Sequence, residues 1–453
     1  METYRLKRVL GLSGLSFIAI GFTIGGGVFV FTGIVLKITG PALPVAYGLA
    51  MIPVLLSMMP LAMLGSAIPS TGGNYMYPSR MISPGLAFTG IWTYALASFF
   101  GQLPLYAIGC ARYARVFMPH LPVDGFAIGL ITFFFLVNLL GVRFAAIVQG
   151  LMVVILISAL IFYSSMGLME MDPANFSGLL RQGAGKLALG VALLTFTYFG
   201  SNGIIELGGE IKEPGKVIPR ALFIAFGVVA LVYLLVSLAT VAPLPWDSIK
   251  TSDEPMITVS RHILGKKGFV FFIAGGAILA LTTTLNALFI VGTKSLLVMV
   301  DDKILPSFLG KVNRRFSTPH VLLTLIWLLS MLGILSGFSL KTFASYAALG
   351  GMIIFLPVLM ASLILPRRYP DRYRDSDFAL KGFWLWLCPS VGFLMVVFFS
   401  AIILVDMRSP VKIGLFFLFI ASGILFYIVR KHYLLRQGID LGDIKKQREW
   451  EVK

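Results

Sequence analysis

Apolar residues along the chain are grouped into long runs that short polar segments separate. Twelve runs have about 18 residues or more, the length that crosses the hydrocarbon core of a bilayer as a helix. They span residues 10–36, 43–68, 85–118, 122–141, 145–169, 186–211, 220–243, 268–300, 319–338, 343–365, 383–406 and 411–430. The pattern therefore predicts an all-α membrane protein with twelve transmembrane helices.

The composition supports this interpretation. The 453 residues are 58% hydrophobic and only 13% charged, and the mean hydropathy is +0.91. A water-soluble globular protein carries roughly 25% charged residues. The first run is too long and too rich in glycine for a cleaved signal peptide, so we expect it to remain as a helix.

Basic residues indicate the orientation in the membrane. With the N-terminus inside, about two thirds of the 37 Lys and Arg residues fall on the cytoplasmic side, as the positive-inside rule requires. This predicts a plasma-membrane protein with both termini in the cytoplasm. The net charge of +17 then reflects topology and contact with anionic lipid, and nucleic acid is not an expected partner because the charges are scattered over short loops.

The sequence contains none of the common catalytic motifs. Its two cysteines lie in apolar runs, its four histidines are far apart, and the HExxH, Walker A and GxSxG patterns are missing. We therefore predict no enzyme activity, no organic cofactor and no obligate protein partner.

Glycine clusters interrupt two of the runs. The first run contains IGFTIGGGVFVFTG at residues 20–33, and the sixth contains FTYFGSNGIIELGGEIKEPGKVIP at residues 196–219. Each glycine costs about 1 kcal/mol relative to alanine inside a helix. Gly21 and Gly25 could alternatively form a GxxxG packing motif. Paired interruptions in two different runs favour broken helices instead.

The two interrupted runs occupy matching positions in two blocks of five. Residues 10–169 form the first block and residues 186–365 the second, followed by two helices at 383–430; residues 1–9 and 431–453 are the cytoplasmic ends. Because five is odd, the second block starts on the opposite side of the membrane and can be an inverted repeat of the first. Glycine-interrupted segments at corresponding positions of inverted halves indicate a transporter binding site.

Broken helices expose backbone groups of both polarities. At Gly25–Gly27 a half-helix begins, and its free N–H groups and positive dipole end suit a carboxylate. The half-helices ending near Thr23 and near Phe196–Phe199 expose carbonyl groups, which suit an ammonium group or a metal cation. The combination fits a zwitterion, and an α-amino acid is the simplest one.

Four motifs resemble those of the amino acid–polyamine–organocation (APC) superfamily of transporters. Besides the first-helix glycine cluster they are SAIPSTGGNYMYPSR at 66–80, LGVRFAAIVQG at 140–150 and GEIKEPGKVIPRAL at 209–222. The resemblance covers residues 8 to 430. It implies a leucine-transporter-like 5+5 inverted repeat with broken first and sixth helices, two additional C-terminal helices, and transport by alternating access.

The resemblance also implies roles for individual residues. The amides of Gly26 and Gly27 would bind the substrate carboxylate, and the carbonyls of Thr23, Phe196 and Phe199 would bind its amine.

Two side chains of the sixth run have further implied roles. The ring of Phe196 would close the site from outside, and the side chain of Asn202 would contact substrate. The alternatives are ordinary helix packing for Phe196 and a helix-end cap for Asn202.

One departure from the family concerns ion coupling. Many members have a lysine in the fifth helix, and the matching residue here is Leu156. Without that charge, Na⁺ is a possible coupling ion, bound by the carbonyls of Gly21 and Ile24 and the hydroxyls of Thr282 and Thr283, because hard cations prefer oxygen ligands. The alternative is that the threonine hydroxyls bond only to their own helix.

A second departure is Glu206, an acidic residue within the sixth run. Buried acids in membrane segments are costly, so Glu206 is a candidate for proton or cation coupling. The alternative is a solvated charge near Lys212.

The substrate and the transport mode are open at this stage. No basic residue lies near the middle of the first or sixth run, which argues against acidic substrates and favours small or medium neutral amino acids, while Glu206 leaves cationic substrates as an alternative. Polar residues that could line the cavity are Thr93, Ser98, Gln102 and Asn286. Alternatives to a symporter are an amino acid exchanger, a proton-coupled permease and a transporter-like amino acid sensor.

Overall fold

The computed structural model describes residues 8–252, 254–313 and 315–446, and that part of the chain is almost entirely helical. Its two β-bridges, Leu10 with Ile211 and Thr71 with Leu207, are isolated and belong to no strand. The helices of the N-terminal half are α1 (Leu12–Gly26), α2 (Thr32–Thr39), α3 (Leu43–Ala67), α4 (Gly73–Met81), α5 (Pro84–Ala95), α6 (Leu103–Ala114), α7 (Val123–Leu139), α8 (Val142–Met169) and α9 (Ala184–Thr197). The remaining helices are α10 (Pro214–Val241), α11 (Trp246–Ile249), α12 (Pro255–Ile263), α13 (Lys266–Phe271), α14 (Leu279–Asp301), α15 (His320–Leu335), α16 (Leu340–Ile353), α17 (Phe355–Arg368), α18 (Pro370–Arg374), α19 (Phe383–Met407) and α20 (Pro410–Arg436).

Membrane-length helices account for most of the described residues. Nine helical segments within the described ranges are long and apolar enough to cross a membrane. The first of them, Leu12–Ala67, has 56 residues, more than twice the roughly 20 residues of one crossing. Two shorter apolar helices, α7 and α15, coincide with the fourth and ninth predicted runs. The prediction of a helical integral membrane protein is confirmed.

The first predicted break is present at Gly25. This residue has φ −4° and ψ −134°, which no helix contains, and the five residues Gly27–Phe31 after Gly26 form a π-helical turn that leads into α2. A side chain at Gly25 would collide with Thr284 of α14, since a Cβ there would lie 1.4 Å from the Thr284 hydroxyl oxygen. Glycine is therefore required at this position because there is no space for a side chain.

The second predicted break follows α9. The α-helix ends at Thr197, and Phe199–Glu206 continue as a 3₁₀-helix. A Cβ on Gly200 would lie 2.5 Å from the carbonyl oxygen of Phe22, so the two breaks pack directly against each other. Because α1 also packs on α8, α10 and α14, the breaks lie at the centre of the helix bundle.

Candidate binding site

A small cavity lies between the two helix breaks. Its volume is about 50 Å³, and since one water molecule needs about 10–15 Å³ of such space, it has room for only a few waters. Thr23, Gly27, Phe196 and Phe199, which the sequence predicted for substrate binding, all line it. These four predicted residues therefore surround one cavity, and their role in substrate binding stays a prediction.

The other three predicted binding residues lie beside the cavity. Gly25 is covered by Thr284, and Gly26 by Tyr106, whose ring carbon Cδ1 would be 2.1 Å from a Cβ at this position. Asn202 is buried, and its side-chain oxygen and nitrogen have no hydrogen-bond partner within the described part of the chain. Its predicted contact with substrate stays a prediction.

The backbone N–H groups at the first break already have acceptors within the protein. The N–H of Gly26 donates to the hydroxyl oxygen of Thr284 at 2.9 Å, and the N–H of Gly27 donates to the carbonyl of Ile24. A hydroxyl oxygen thus accepts a hydrogen bond at the place where a carboxylate oxygen is expected.

The hydroxyl of Tyr233 on α10 is a hydrogen-bond donor to carbonyl groups at the helix breaks. Its hydroxyl donates to the carbonyl oxygen of Thr23 at 2.6 Å and lies 3.2 Å from that of Thr197. The hydroxyl therefore connects both helix breaks, and it is the donor at the place where an ammonium group is expected. Sequence reasoning missed Tyr233 because it lies in an uninterrupted apolar run.

We expect Tyr233→Phe to strengthen substrate binding by about tenfold, because the empty site then leaves two carbonyls without a donor, at a cost of about 1–3 kcal/mol that a bound ammonium group removes. Uptake measured against substrate concentration checks this. Tyr163→Phe is the matched control, since it removes a buried hydroxyl that bonds to Thr240, away from the helix breaks. Equal effects of the two changes would contradict a role for Tyr233 at the site.

The threonines predicted for Na⁺ bond to their own helix. The hydroxyl of Thr282 donates to the carbonyl of Leu279 at 3.0 Å, and that of Thr283 to the carbonyl of Ala280 at 2.7 Å. The threonine that bonds to the break in α1 is Thr284. The hydroxyl of Thr282 also lies 3.7 Å from the sulfur of Met152 on α8. Na⁺ binding by Thr282 and Thr283 stays a prediction.

The helix face at Gly21, another predicted Na⁺ ligand, points toward α8. A Cβ there would lie 2.3 Å from the side-chain nitrogen of Gln149 and 2.5 Å from Val153. Gln149 in turn accepts a hydrogen bond from Asn286, and Asn286 accepts one from Asn138. Asn286 is thus part of a buried chain of carboxamides that connects α7, α8 and α14.

Glu206 is buried and fully engaged rather than solvated. Its carboxylate accepts the backbone N–H of Asn74 at 2.8 Å and the hydroxyl of Ser295 at 2.7 Å, and its side chain is not paired with Lys212 in the described structure. Asn74 itself lines the cavity. The carboxylate therefore lies one residue behind the cavity wall and links α4 to α14.

Two buried ion pairs join the same end of the bundle. Lys294 lies 2.9 Å from Glu210, and Arg80 binds both carboxylate oxygens of Asp302, at 2.5 and 2.7 Å. The carbonyl of Glu210 also accepts the N–H groups of the two residues that precede α1, Val9 and Leu10. The chain entering α1 is thus fixed to α14 through Glu210.

Aromatic rings form another part of the cavity wall. The ring centroids of Phe196 and Phe31 are 5.6 Å apart, and Phe199 stacks on Phe355 at 4.6 Å. The ring of Phe196 also covers Gly351, where a Cβ would lie 2.5 Å from it. This position is consistent with the gate expected at Phe196, which stays a prediction.

Residues 10–429 match the family model described as amino acid permease. The chain is 25% identical over 458 residues to the branched-chain amino acid permease BcaP of Bacillus subtilis (strain 168), covering 95% of both proteins. It is 26% identical to the methylthioribose transporter of the same organism, covering 81% of this chain and 83% of that one. It is 27% identical to the vacuolar cationic amino acid transporter 4 of Arabidopsis thaliana, covering 70% of this chain and 56% of that one.

Proposed function

Since this chain belongs to the amino acid permease family, within the predicted superfamily, and its relatives are transporters rather than enzymes, we propose that it moves neutral L-amino acids across the membrane by alternating access. One observation carries the proposal. The hydroxyls of Thr284 and Tyr233 occupy the two polar ends of the helix breaks, one as acceptor and one as donor. A zwitterion offers the same two polarities, so a carboxylate and an ammonium group can replace them.

We also propose how the helices cross the membrane. Dividing Leu12–Ala67 between two crossings and adding α7 and α15 gives twelve crossings, in agreement with the predicted runs. We assign them to a 5+5 inverted repeat with two C-terminal helices, in the plasma membrane with both termini in the cytoplasm. The breaks in α1 and after α9 support this assignment because they occupy the matching positions of the two halves.

Transport by purified protein in proteoliposomes tests the function. Labelled neutral L-amino acid should enter vesicles, and the same amino acid inside should accelerate its entry, because the loaded site returns across the membrane. A facilitated exchanger and an ion-driven symporter differ in whether entry also occurs into empty vesicles. Vesicles with protein that take up no more amino acid than protein-free vesicles would contradict the proposal.

For ion coupling we propose Na⁺ as the driving ion, with Thr282 and Thr283 as ligands. An ion that binds one conformation better shifts the equilibrium between conformations, so an inward Na⁺ gradient should stimulate uptake at least severalfold. Changing both threonines to alanine should remove the stimulation. Thr324→Ala is the control, because this threonine bonds in the same way to its own helix but is exposed on α15.

The competing scheme is proton coupling through Glu206. Uptake that does not depend on Na⁺ but is driven by an inward proton gradient would overturn the sodium scheme. In that case Glu206→Gln should abolish the pH dependence of uptake.

A further inference from the structure

Two carboxamide side chains line the cavity, one from each of two separate segments. Asn74 lies on α4, and Gln102 lies at the end of the π-helical turn Leu96–Gln102 that joins α5 to α6. Both residues are more than nine-tenths buried. The side-chain oxygens of both have no hydrogen-bond partner within the described ranges of the chain.

Such unpaired groups are unfavourable unless something binds to them. Buried polar atoms in proteins are nearly always hydrogen-bonded, and exceptions need an explanation. A ligand with a hydrogen-bonding side chain supplies the missing partner. A ligand with an apolar side chain excludes water and leaves the side-chain oxygens of both carboxamides unpaired.

The position of Asn74 is fixed by its surroundings. Its backbone N–H is held by the buried carboxylate of Glu206, and Glu206 is also bound by Ser295 of α14. The side chain of Asn74 is therefore presented to the cavity by a fixed piece of backbone.

Gln102 is placed by an irregular helix. The wide turn Leu96–Gln102 interrupts the regular helical repeat, and such turns occur frequently at functional sites. The regular helix resumes at Leu103, and Tyr106 on its first turns is the residue that covers Gly26. Gln102 thus lies one helical turn before Tyr106, and both residues line the cavity.

The remaining cavity wall excludes charged ligand side chains. It is formed mainly by the rings of Tyr94, Tyr106, Phe196, Phe199 and Phe355. No charged side chain lines the cavity in the part of the chain that the structure describes. An ionised side chain would be desolvated there without a partner of opposite charge.

We propose that the site selects neutral amino acids whose side chains carry a hydroxyl or a carboxamide group, with Asn74 and Gln102 as the residues that recognise it. The inference rests on the proposed transport function and specifies its substrate class. Hydroxyl and carboxamide groups both donate and accept hydrogen bonds, so they match a carboxamide in either orientation. Threonine, serine, asparagine and glutamine belong to this class.

Pairs of amino acids of nearly equal shape test the selection. In wild-type proteoliposomes, unlabelled L-threonine should inhibit the uptake of labelled L-threonine at least tenfold more strongly than L-valine, and L-asparagine more strongly than L-leucine. A site that hydrogen-bonds a ligand group discriminates strongly against the analogue that lacks it, because its own polar groups are then unpaired.

Gln102→Leu should reduce the preference for threonine over valine to less than threefold. Gln182→Leu is the matched control, since it makes the same change at a partly exposed glutamine that accepts a hydrogen bond from Lys186. The wild-type competition does not depend on whether the Gln102 variant folds. Valine and leucine inhibiting as strongly as their polar counterparts would overturn the inference but leave the transport function intact. Transport of no amino acid at all would overturn the function itself.

Discussion

Replacing Gly26 with alanine is expected to reduce amino acid uptake at least a hundredfold. A Cβ at this position would lie 2.1 and 2.2 Å from two ring carbons of Tyr106, which is far inside van der Waals contact. The ring must move into the cavity that it borders, and the added methyl group also covers the backbone N–H that we expect to bind the carboxylate. Uptake at saturating and subsaturating substrate concentrations measures the loss.

Gly33→Ala is the matched control for this experiment. It adds the same methyl group further along the same predicted transmembrane segment, where the nearest atom, a ring carbon of Pro255, would be 3.5 Å away. Both variants should reach the membrane in similar amounts and elute as folded protein. Normal uptake by the Gly26 variant would show that the carboxylate binds elsewhere and would restore the packing interpretation of the glycine cluster.

The second large effect is expected from Lys294→Met. The side chains of Lys294 and Glu210 are 6% and 4% exposed, and removing the lysine leaves a buried carboxylate with no opposite charge. Breaking a buried pair in this way costs about 3–5 kcal/mol. We expect a clear fall in the thermal unfolding midpoint and easier opening of the bundle end where Glu210 fixes the chain entering α1.

Two comparisons show whether the buried charge is the cause. The double variant Lys294→Met with Glu210→Gln removes both charges and should recover part of the lost stability. Lys250→Met breaks an exposed pair with Asp247, which contributes little to stability because water and salt screen it. If Lys294→Met and Lys250→Met have the same thermal unfolding midpoint, the buried pair does not stabilise the protein in the way we expect.

The sequence predicted the helices because a bilayer imposes a simple length rule. Each of the twelve apolar runs coincides with a helix or with a group of consecutive helices, with ends shifted by a few residues. The break at Gly25 was also predictable, since three adjacent glycines in an apolar run have no role in a regular helix. The π-helical turn Leu96–Gln102 was not predicted, because no glycine cluster or proline marks where it begins.

Contacts between helices that are distant along the chain could not be predicted from the sequence. Thr282, Thr283 and Thr284 are adjacent, and successive helical residues point about 100° apart, so the pattern alone does not tell which hydroxyl faces α1. The structure identifies Thr284 as the residue that bonds to Gly26. Tyr106 and Tyr233 were missed for the same reason, because their importance depends on the rotation of α6 and α10 about their axes.

The role of Glu206 was only partly predictable from the sequence. An acid in an apolar run indicated a functional residue, but the sequence did not indicate its neighbours. In the structure Glu206 is held between Asn74 and Ser295, directly behind the cavity wall. Whether it carries a proton is a question for the transport experiment with Glu206→Gln.

The central claim is that a zwitterionic substrate binds between the two helix breaks and replaces the protein's own hydroxyl groups there. A cryo-EM structure of the protein with saturating L-threonine tests it most directly. In this complex we expect the carboxylate at the N–H groups of Gly26 and Gly27 and the ammonium group at the carbonyl of Thr23. The hydroxyls of Thr284 and Tyr233 should be displaced. Amino acid bound at another place in the bundle, with both of these hydrogen bonds intact, would contradict it.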